Sequence, residues 1–163
     1  MTTGAAPPGP GPGTGRGLRV AVVASRFNED ISGRLAAGAG AELERLGVAP
    51  GDVSELWVPG AFELPLAAQR LAESGTVDAV VCVGAVVMGE TDHYTHVATQ
   101  CAAGLQRAQL DTGVPVVFGV LTTTTIEAAQ ARAGGAHGNK GAEAAAAAVE
   151  MADLLRRLPS PRS

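Results

Sequence analysis

The segment VDAVVCVGAVVMGETDHYTHVA, residues 77–98, decides the fold of this chain. Its first half, residues 77–87, is an almost unbroken run of apolar residues rich in valine, and a polar turn containing a glycine follows it. A helix is predicted next, from about Tyr94 to Leu110. A strand that is apolar at successive positions is typical of a parallel sheet, because both faces of such a sheet are covered. The segment therefore predicts one β-α unit of a parallel α/β fold.

The same unit recurs on both sides of this segment. Apolar, β-branched runs predict three further strands, at residues 18–25, 53–59 and 114–122. Helical spacing and stop signals predict the remaining helices at about residues 31–46, within 60–75, at 126–133 and at 141–158. Strands alternating with helices predict a three-layer αβα sandwich of the flavodoxin-like kind, with a four-stranded parallel sheet and helices on both faces.

The length of 163 residues and the hydrophobic content of 46% suit one domain with a substantial core. We predict that this domain spans residues 18–158 and that residues 159–163 form a short tail. Residues 1–17 are rich in proline and glycine. Because such a composition buries too little surface to offset its ordering entropy, these residues are predicted to form a disordered arm.

Charge and cysteine content exclude several classes of function. The net charge of -4 comes from interspersed acids and bases, without the basic run that binds nucleic acid or anionic membranes. No apolar run approaches the ~18 residues that cross a membrane, and residues 1–17 lack the features of a secretory signal. Cys82 and Cys101 lack metal-ligand spacing and are predicted to be reduced core thiols. We therefore expect a soluble cytoplasmic protein without a nucleic-acid or membrane partner.

Ligands of parallel α/β sheets bind beyond the carboxyl ends of the strands. Unusual residues cluster at those ends, in the segments SRFN (25–28), PGAFE (59–63), AVVMGETDH (85–93) and TTTT (122–125). Phe27 is either a core aromatic or a platform for a planar ligand, since it follows an arginine where the chain leaves the core. Glu63 is either a ligand-binding acid or a first-turn residue that interacts favourably with the helix dipole.

The turn Gly89-Glu90-Thr91 lies just before a predicted helix and indicates an anion site. Such a turn exposes backbone N–H groups and points the positive end of the helix dipole at a ligand, which suits a phosphate. Arg132 and Lys140, in and after the fourth predicted β-α unit, are candidate countercharges. Either residue is equally consistent with a solvated surface charge.

His93 and His96, in the same segment, suggest either a metal site or proton chemistry. The pattern H-x-x-H is a weak zinc signal, because zinc needs three or four ligands and the nearby Asp92 and Glu90 offer hard oxygen donors in a turn. His93 lies at the start of the helix beside the candidate phosphate turn. An imidazole there can transfer protons without a metal, so no metal is predicted and His93 is the catalytic candidate.

Five segments taken together resemble one known family. They are SRFN, WVPGAFELP, GETDHY, GVPVVFGVLTT and ARAGGAHGNKGAEAA, in this order and at these spacings. They closely resemble the 6,7-dimethyl-8-ribityllumazine synthases, and the resemblance extends over about residues 18–156. It implies a transferase of riboflavin biosynthesis, acting at the penultimate step. Such an enzyme condenses 5-amino-6-(D-ribitylamino)uracil with 3,4-dihydroxy-2-butanone 4-phosphate, releasing phosphate and water, with no metal or organic cofactor.

The resemblance also implies roles for individual residues that bind the pyrimidine substrate. Phe27 is expected to stack on the ring, and Glu63 to accept hydrogen bonds from hydroxyls of the ribityl chain. The other residues expected to contact this substrate are Ala61 and Phe62, along the ribityl chain, and Ala85, Val86 and Val87, through backbone groups at the uracil edge.

For the phosphate, the resemblance implies a cradle of backbone N–H groups from Glu90 and Thr91, with Arg132 as countercharge and Phe118 as a further wall. In the family, the last two positions come from the neighbouring subunit. His93 is implied to be the proton-transfer residue, a role worth ~10²–10⁴-fold in rate. His96 occupies a position where the family is not specific for histidine, and it is interpreted as a helix-face residue.

Two positions depart from the family pattern. Met88 stands where the family usually has Arg or Lys, and Thr95 where it usually has Asp or Glu. These departures leave open a divergent paralogue that condenses a related amine and carbonyl compound. A shell-forming or flavin-binding protein without turnover is a further alternative. It is disfavoured because packing alone does not require all four of His93, Arg132, Phe27 and Glu63. A flavodoxin-type electron carrier is disfavoured, because SRFNEDIS is not a phosphate loop of that kind.

Assembly is also implied by the resemblance. A site shared between subunits requires a homo-oligomer, and the cyclic pentamer is the unit of the family. The short loop GGAHGNKG, residues 134–141, resembles members whose pentamers form a hollow icosahedral shell, so a shell is predicted. Riboflavin synthase is then a candidate partner that such a shell could enclose.

Overall fold

The structure, a computed structural model, describes residues 4–163. Its main sheet has four parallel strands in the order β2-β1-β3-β4. These strands are β1 (Val20–Ser25), β2 (Val53–Val58), β3 (Ala79–Val87) and β4 (Val116–Thr123). Every residue of β3 except Val87 is buried, as expected for a strand in the interior of a covered parallel sheet. The predicted four-stranded parallel sheet is confirmed.

Five helices cover the two faces of this sheet. They are α1 (Glu29–Arg45), α2 (Leu64–Glu73), α3 (His93–Thr112), α4 (Ile126–Ala131) and α5 (Lys140–Arg157). One buried cluster joins the sheet to α1, α4 and α5, and the other joins it to α2 and α3. Successive residues of β1 alternate between the clusters, because side chains along a strand point to opposite faces. The three-layer αβα sandwich is therefore confirmed.

Small residues let α5 approach α1 closely. A Cβ atom built at Gly141 would collide with the carbonyl oxygen of Leu35, and one built at Gly38 would collide with the side chain of Asn139. The Ala-rich face of α5 is buried against this neighbour and against the sheet. The start of α5, which follows a predicted functional loop, is thus fixed in place by close contact with α1.

The loop predicted at residues 134–141 contains a small hairpin instead. Strands β5 (Ala133–Gly135) and β6 (Gly138–Asn139) pair in antiparallel fashion. Gly134 and Gly138 both have positive φ, which glycine adopts without strain. The backbone N–H of Lys140 donates to the carbonyl oxygen of Arg132, 2.9 Å away. The hairpin therefore joins the two cationic residues that the sequence analysis selected.

The N-terminal boundary of the folded part lies before Leu18. The backbone N–H groups of Gly13 and Gly15 both donate to the carbonyl oxygen of Leu46, at 3.0 and 2.8 Å. The guanidinium of Arg156 donates to the carbonyl oxygens of Arg16 and Thr14. The last part of the predicted arm is therefore attached to the domain through backbone groups. Residues 1–3 lie outside the described residues, and disorder of the rest of the arm stays a prediction.

None of the helices among residues 4–163 is long and apolar enough to span a membrane.

Candidate active site

A cleft of about 470 Å³ opens at the carboxyl ends of β1, β2 and β3, beside the start of α3. We call it the aromatic cleft. Its lining residues are Phe27, Pro59, Gly60, Ala61, Phe62, Glu63, Ala85, Val86, His93, His96 and Val97. The structure thus brings seven of the predicted site residues together, from four different segments of the chain. A volume of this size is typical of a site for a small molecule.

Phe27 is held outside the core by the backbone on either side of it. Its N–H donates to the carbonyl oxygen of Pro59 at 3.1 Å, and the next residue, Asn28, adopts a left-handed conformation with φ of 61°. The Asn28 side chain fixes this turn by donating to the carbonyl oxygen of Ala85 at 3.0 Å. The Phe27 ring is consequently 73% exposed, which excludes its interpretation as a core aromatic. An exposed ring fixed at a cleft is suited to stacking on a planar ligand.

Glu63 is the last residue of a short 3₁₀ helix, Ala61–Glu63, and directly precedes α2, which begins with Leu64 and Pro65. Pro65 is accepted there because the first turn of a helix does not use its N–H groups. The Glu63 side chain makes no capping hydrogen bond to α2. Its carboxylate instead lines the aromatic cleft, where it can accept hydrogen bonds from hydroxyl groups.

The turn before α3 leaves backbone donors free. Among residues 4–163, the N–H groups of Gly89, Glu90 and Thr91 donate to no protein acceptor, and all three residues are exposed. The nearest donor on the strand side, the N–H of Met88, is paired with the carbonyl oxygen of Thr123. Free donors just before a 20-residue helix, on the positive side of its dipole, can bind an anion.

Two of the predicted contact groups lie at the margin of the aromatic cleft rather than in its lining. The turn residues Glu90 and Thr91 are exposed next to His93 but do not form the walls of the cleft. The side chain of Val87 packs against the cluster of α1 and α5, on the opposite face of the sheet from Val86. Val87 therefore has only backbone groups to offer a ligand in this cleft, and its contact with the substrate stays a prediction.

Both histidines of the segment line the aromatic cleft. His93 is the first residue of α3, and its N–H lies 3.4 Å from the hydroxyl of Thr91. Nε2 of His96 lies 3.4 Å from a carboxylate oxygen of Asp92, one turn earlier. The interpretation of His96 as a helix-face residue is incomplete, because that face is a wall of the cleft. Within residues 4–163, no group of three or more potential ligands is arranged to hold a metal ion.

A second cleft, of about 670 Å³, lies at the other edge of the sheet, between the end of β4, the hairpin and the start of α5. We call it the cationic cleft. Its lining residues are Phe118, Val120, Leu121, Thr122, Thr123, Thr124, Ala128, Arg132, His137, Lys140 and Glu143. The three predicted residues Phe118, Arg132 and Lys140 therefore lie together, but they are separate from Phe27 and His93.

Local contacts position the side chains of Arg132 and Lys140 in this cleft. The Arg132 guanidinium donates to the carbonyl oxygen of Ala128 at 2.9 Å, at the end of α4, and the Lys140 ammonium lies 4.0 Å from a carboxylate oxygen of Glu143. Asn139 accepts a hydrogen bond from the N–H of Ala142 and so caps α5 immediately before Lys140. These contacts are exposed, so both cations remain available to an incoming anion.

Sequence reasoning missed two features of these clefts. The first is Asn28, to which the sequence assigned no role, although its left-handed backbone and its hydrogen bond to Ala85 position Phe27. A signal existed, because asparagine is among the few residues other than glycine that adopt positive φ. His137 lines the cationic cleft from the tip of the hairpin, and its proximity to Arg132 and Lys140 in sequence was the available signal.

Neither thiol of the chain takes part in these clefts. Cys82 and Cys101 are free and buried in the cluster of α2 and α3. Burial raises the pKa of Cys101 to about 11, and burial together with the neighbouring Cys101 raises the pKa of Cys82 still more strongly. Because the thiolate is the reactive form, both residues are structural, and the prediction of unpaired core thiols is confirmed.

Comparison with known protein families gives one match that covers most of the chain. The family model described as 6,7-dimethyl-8-ribityllumazine synthase matches residues 17–156. This range begins just before β1, ends within the last turn of α5 and contains every residue that lines the two clefts.

Proposed function

Because this chain belongs to the 6,7-dimethyl-8-ribityllumazine synthase family, we propose that it catalyses the reaction after which the family is named. In this proposal, the 5-amino group of 5-amino-6-(D-ribitylamino)uracil condenses with 3,4-dihydroxy-2-butanone 4-phosphate. The products are the lumazine, inorganic phosphate and water. This is the penultimate step of riboflavin biosynthesis, and we expect it to take place in the cytoplasm without a metal or organic cofactor.

The observation that carries the proposal is the composition of the aromatic cleft. An exposed phenylalanine, a carboxylate and an imidazole, from Phe27, Glu63 and His93, line one cavity of about 470 Å³. A pyrimidine ring can stack on Phe27 while backbone groups of Ala85 and Val86 face its polar edge. The ribityl chain would extend towards Phe62 and Glu63, whose carboxylate accepts hydrogen bonds from hydroxyl groups. Each part of this substrate thus has a chemically suitable partner.

The phosphate of the second substrate fits the free N–H groups of Gly89, Glu90 and Thr91. Backbone donors alone leave most of its charge unneutralised, and no lysine or arginine lines the aromatic cleft. Arg132 and Lys140 are the suitable countercharges, but they line the cationic cleft. We therefore propose that the cationic cleft of one copy faces the aromatic cleft of another. A pentamer provides this arrangement repeatedly, and a shell of pentamers is the proposed full assembly.

His93 would transfer protons in this reaction. The amine must lose a proton after it attacks the ketone, and the resulting carbinolamine must lose water to form an imine. Phosphate then leaves as its C–O bond breaks, and a proton is lost from carbon. His93 lies between the cleft and the free N–H groups, which suits transfers at both ends of the butanone. Acid-base catalysis would supply ~10²–10⁴-fold and the alignment of two substrates the remainder.

One observation favours the alternative of a divergent paralogue. Met88 is 48% exposed immediately before the free N–H groups, at the position where the family usually has a basic residue. An apolar side chain there cannot assist the binding of a phosphate, and Thr95 cannot supply a carboxylate near His93. A related carbonyl compound with a smaller negative charge would suit such a turn. Arg132 and Lys140 argue for the first function, because a guanidinium and an ammonium can still neutralise a phosphate without a basic residue at position 88.

A steady-state assay of the purified protein with both substrates, followed by lumazine fluorescence, tests the two functions. The first function predicts turnover well above the spontaneous reaction and a kcat that falls ~10²–10⁴-fold in His93→Ala. The matched variant is Met88→Arg, which should change turnover little if the first function is right. Absence of turnover in the native protein, with turnover gained in Met88→Arg, would support the paralogue instead.

Assembly is tested separately by sedimentation velocity at micromolar concentration and neutral pH. A shell of pentamers sediments many times faster than a pentamer. A single pentameric species would contradict the shell and retain the shared site, whereas a stable monomer with full activity would contradict both. Co-sedimentation of riboflavin synthase with the shell would identify that enzyme as an enclosed partner.

A further inference from the structure

Two imidazoles line the aromatic cleft, and the reaction proposed above gives a role to only one of them. His96 follows His93 by three residues on α3, and residues at this spacing are neighbours on a helix surface. We propose that His96, oriented by Asp92, is a second proton-transfer residue of the cleft. This inference rests on the proposed function, because it assigns a further residue to the same reaction.

The contact with Asp92 places a carboxylate beside one ring nitrogen of His96. Nε2 of the ring lies 3.4 Å from the carboxylate oxygen Oδ2. A carboxylate beside Nε2 favours the tautomer with a proton on Nε2, which leaves the lone pair of Nδ1 free to act as a base. His93 forms no comparable pair with a carboxylate in the described part of the chain. His96 is therefore the imidazole of the cleft that has a carboxylate beside one of its ring nitrogens.

Folding does not explain why this pair lies at the cleft. The side chains of His96 and Asp92 are 73% and 86% exposed, and pairs this exposed add little to stability. The other titratable groups of the cleft are His93, on the same helix, and Glu63, on the 3₁₀ helix that packs against it. The strand ends contribute only apolar residues and glycine to the cleft.

The step assigned to His96 is removal of the proton from the attacking amine. As the C–N bond forms, the carbonyl electron pair moves to oxygen and the nitrogen becomes cationic. His96 takes an N–H proton through Nδ1, the bonding pair stays on nitrogen, and protonated His93 gives its proton to the alkoxide. The protonated His96 then protonates the hydroxyl of the carbinolamine, which leaves as water. His93 recovers its proton from the iminium nitrogen, so both imidazoles return to their starting states.

The test compares kcat in His96→Gln, in His93→Ala and in the double variant, each over about pH 5 to 8. Glutamine keeps a polar side chain of similar length but cannot accept the proton. With His93 present, we expect His96→Gln to lower kcat by about 10-fold or less, since one imidazole can carry both transfers slowly. In the His93→Ala background, the same change should remove about 10-fold or more of the remaining kcat and abolish its pH dependence. Both KM values should stay within about 3-fold.

Two further variants separate proton transfer from a structural effect. Asp92→Asn in the His93→Ala background removes the carboxylate that lies beside Nε2 and orients the ring, so the residual kcat should fall while both KM values change little. Thr99→Ala changes an exposed residue of the same helix outside the cleft lining and should leave kcat and its pH profile unchanged.

The outcomes distinguish this inference from its premise. If the native protein turns over and His96→Gln leaves the residual rate of His93→Ala unchanged at every pH, the inference is wrong and the proposed function stands. If Thr99→Ala lowered kcat as much as His96→Gln does, the loss would reflect a change in the helix rather than proton transfer by His96, and the inference would likewise be wrong. If the native protein has no turnover at any pH, the proposed function fails and the role of His96 fails with it.

Discussion

The two clefts of this protein are opposite in chemical character. The aromatic cleft has two phenylalanines, two histidines and one carboxylate, but no lysine or arginine. The cationic cleft has one lysine, one arginine and three consecutive threonines. A reaction between a flat, neutral pyrimidine and a phosphorylated ketone needs both sets of groups. The difference teaches that neither cleft alone holds all the groups that the proposed reaction needs.

The order of the strands explains why the two clefts lie apart in one chain. The aromatic cleft is built around the ends of β1, β2 and β3, whereas the cationic cleft lies beyond β4, at the edge of the sheet. An edge position exposes the hairpin and the start of α5 to a second molecule. A second copy can therefore bring its own Arg132 and Lys140 to the aromatic cleft of its neighbour, as the proposed function requires.

The largest expected effect comes from mixing two inactive variants. Arg132→Ala should lower kcat/KM for the butanone phosphate by ~10–150-fold, the value of a charged hydrogen bond, and His93→Ala should lower kcat by ~10²–10⁴-fold. Co-expression should restore about a quarter of native activity, because random assembly of neighbours makes that share of sites from two intact clefts. Steady-state assay of co-purified mixed oligomers, with one variant tagged, measures the recovery.

In the matched control for this experiment, His93→Ala is co-expressed with Phe27→Ala. Both changes lie in the aromatic cleft, so every copy carries one damaged aromatic cleft and mixing should restore nothing. If the Arg132→Ala and His93→Ala mixture gives only the sum of the separate residual rates, the two clefts do not form a shared site.

The next effect distinguishes the substrates that the clefts bind. Phe27→Ala should raise KM for the pyrimidine by ~5–150-fold, because stacking of a base on an aromatic ring is worth ~1–3 kcal/mol. KM for the butanone phosphate should change little. Phe27→Leu keeps apolar surface but lacks the ring plane, so its KM for the pyrimidine should lie between those of the native protein and Phe27→Ala. Steady-state kinetics with each substrate varied in turn measures these values, and an equal rise in both KM values would contradict a stacking role.

Much of this arrangement follows from the sequence, and the limits have physical causes. The strands were predictable because continuous apolar runs need cover on both faces, and Phe27 and Glu63 followed because strand ends are where such sheets bind ligands. The hairpin could not be predicted, because strands of two and three residues are too short to show a periodic pattern of apolar residues. The contact of His96 with the cleft depends on the rotation of α3 about its axis, which packing of the whole helix decides.

The attachment of the N-terminal arm to the domain could not be predicted from the sequence either. Gly13 and Gly15 bind to Leu46 through backbone atoms, which every residue possesses, so composition gave no sign of these bonds. Arg156 reaches two carbonyl oxygens of the arm from the far end of the chain. Side-chain patterns predict burial well, but they predict backbone pairing between irregular segments poorly.

A smaller effect, on stability, is expected from Asn139, which caps α5 beside the cationic cleft. Asn139 accepts from the N–H of Ala142 and donates to the carbonyl oxygen of Arg34, both at 3.1 Å. Asn139→Ala should lower the free energy of unfolding by about 1–2 kcal/mol, the usual value of a lost cap. Urea denaturation measures this change. Asn139→Asp keeps the cap but loses the donor, so it should be less destabilising; an equal loss would place the stabilisation in the bond to Arg34 alone.

The smallest effect is expected at the opposite end of the sheet, remote from both clefts, where Arg19 and Asp78 precede β1 and β3. Burial alone would raise the pKa of Asp78, but hydrogen bonds from the side chain and the N–H of Arg19, with its charge, outweigh burial and lower it. A lowered pKa means that the folded state prefers the carboxylate. The pair therefore stabilises the fold above the pKa of the unfolded chain, and this stability is lost as the pH falls through the folded value.

Asp78→Asn should accordingly lower the urea midpoint slightly at pH 7, and its difference from the native protein should shrink as the pH falls from about 5 to about 3. The matched variant is Asp111→Asn, whose partner Arg107 is 82% exposed, and it should leave the midpoint unchanged. Neither variant should alter kcat or either KM. A change in KM for one substrate in Asp78→Asn would mean that this end of the sheet influences a cleft, and the division of the site into two local halves would then be too simple.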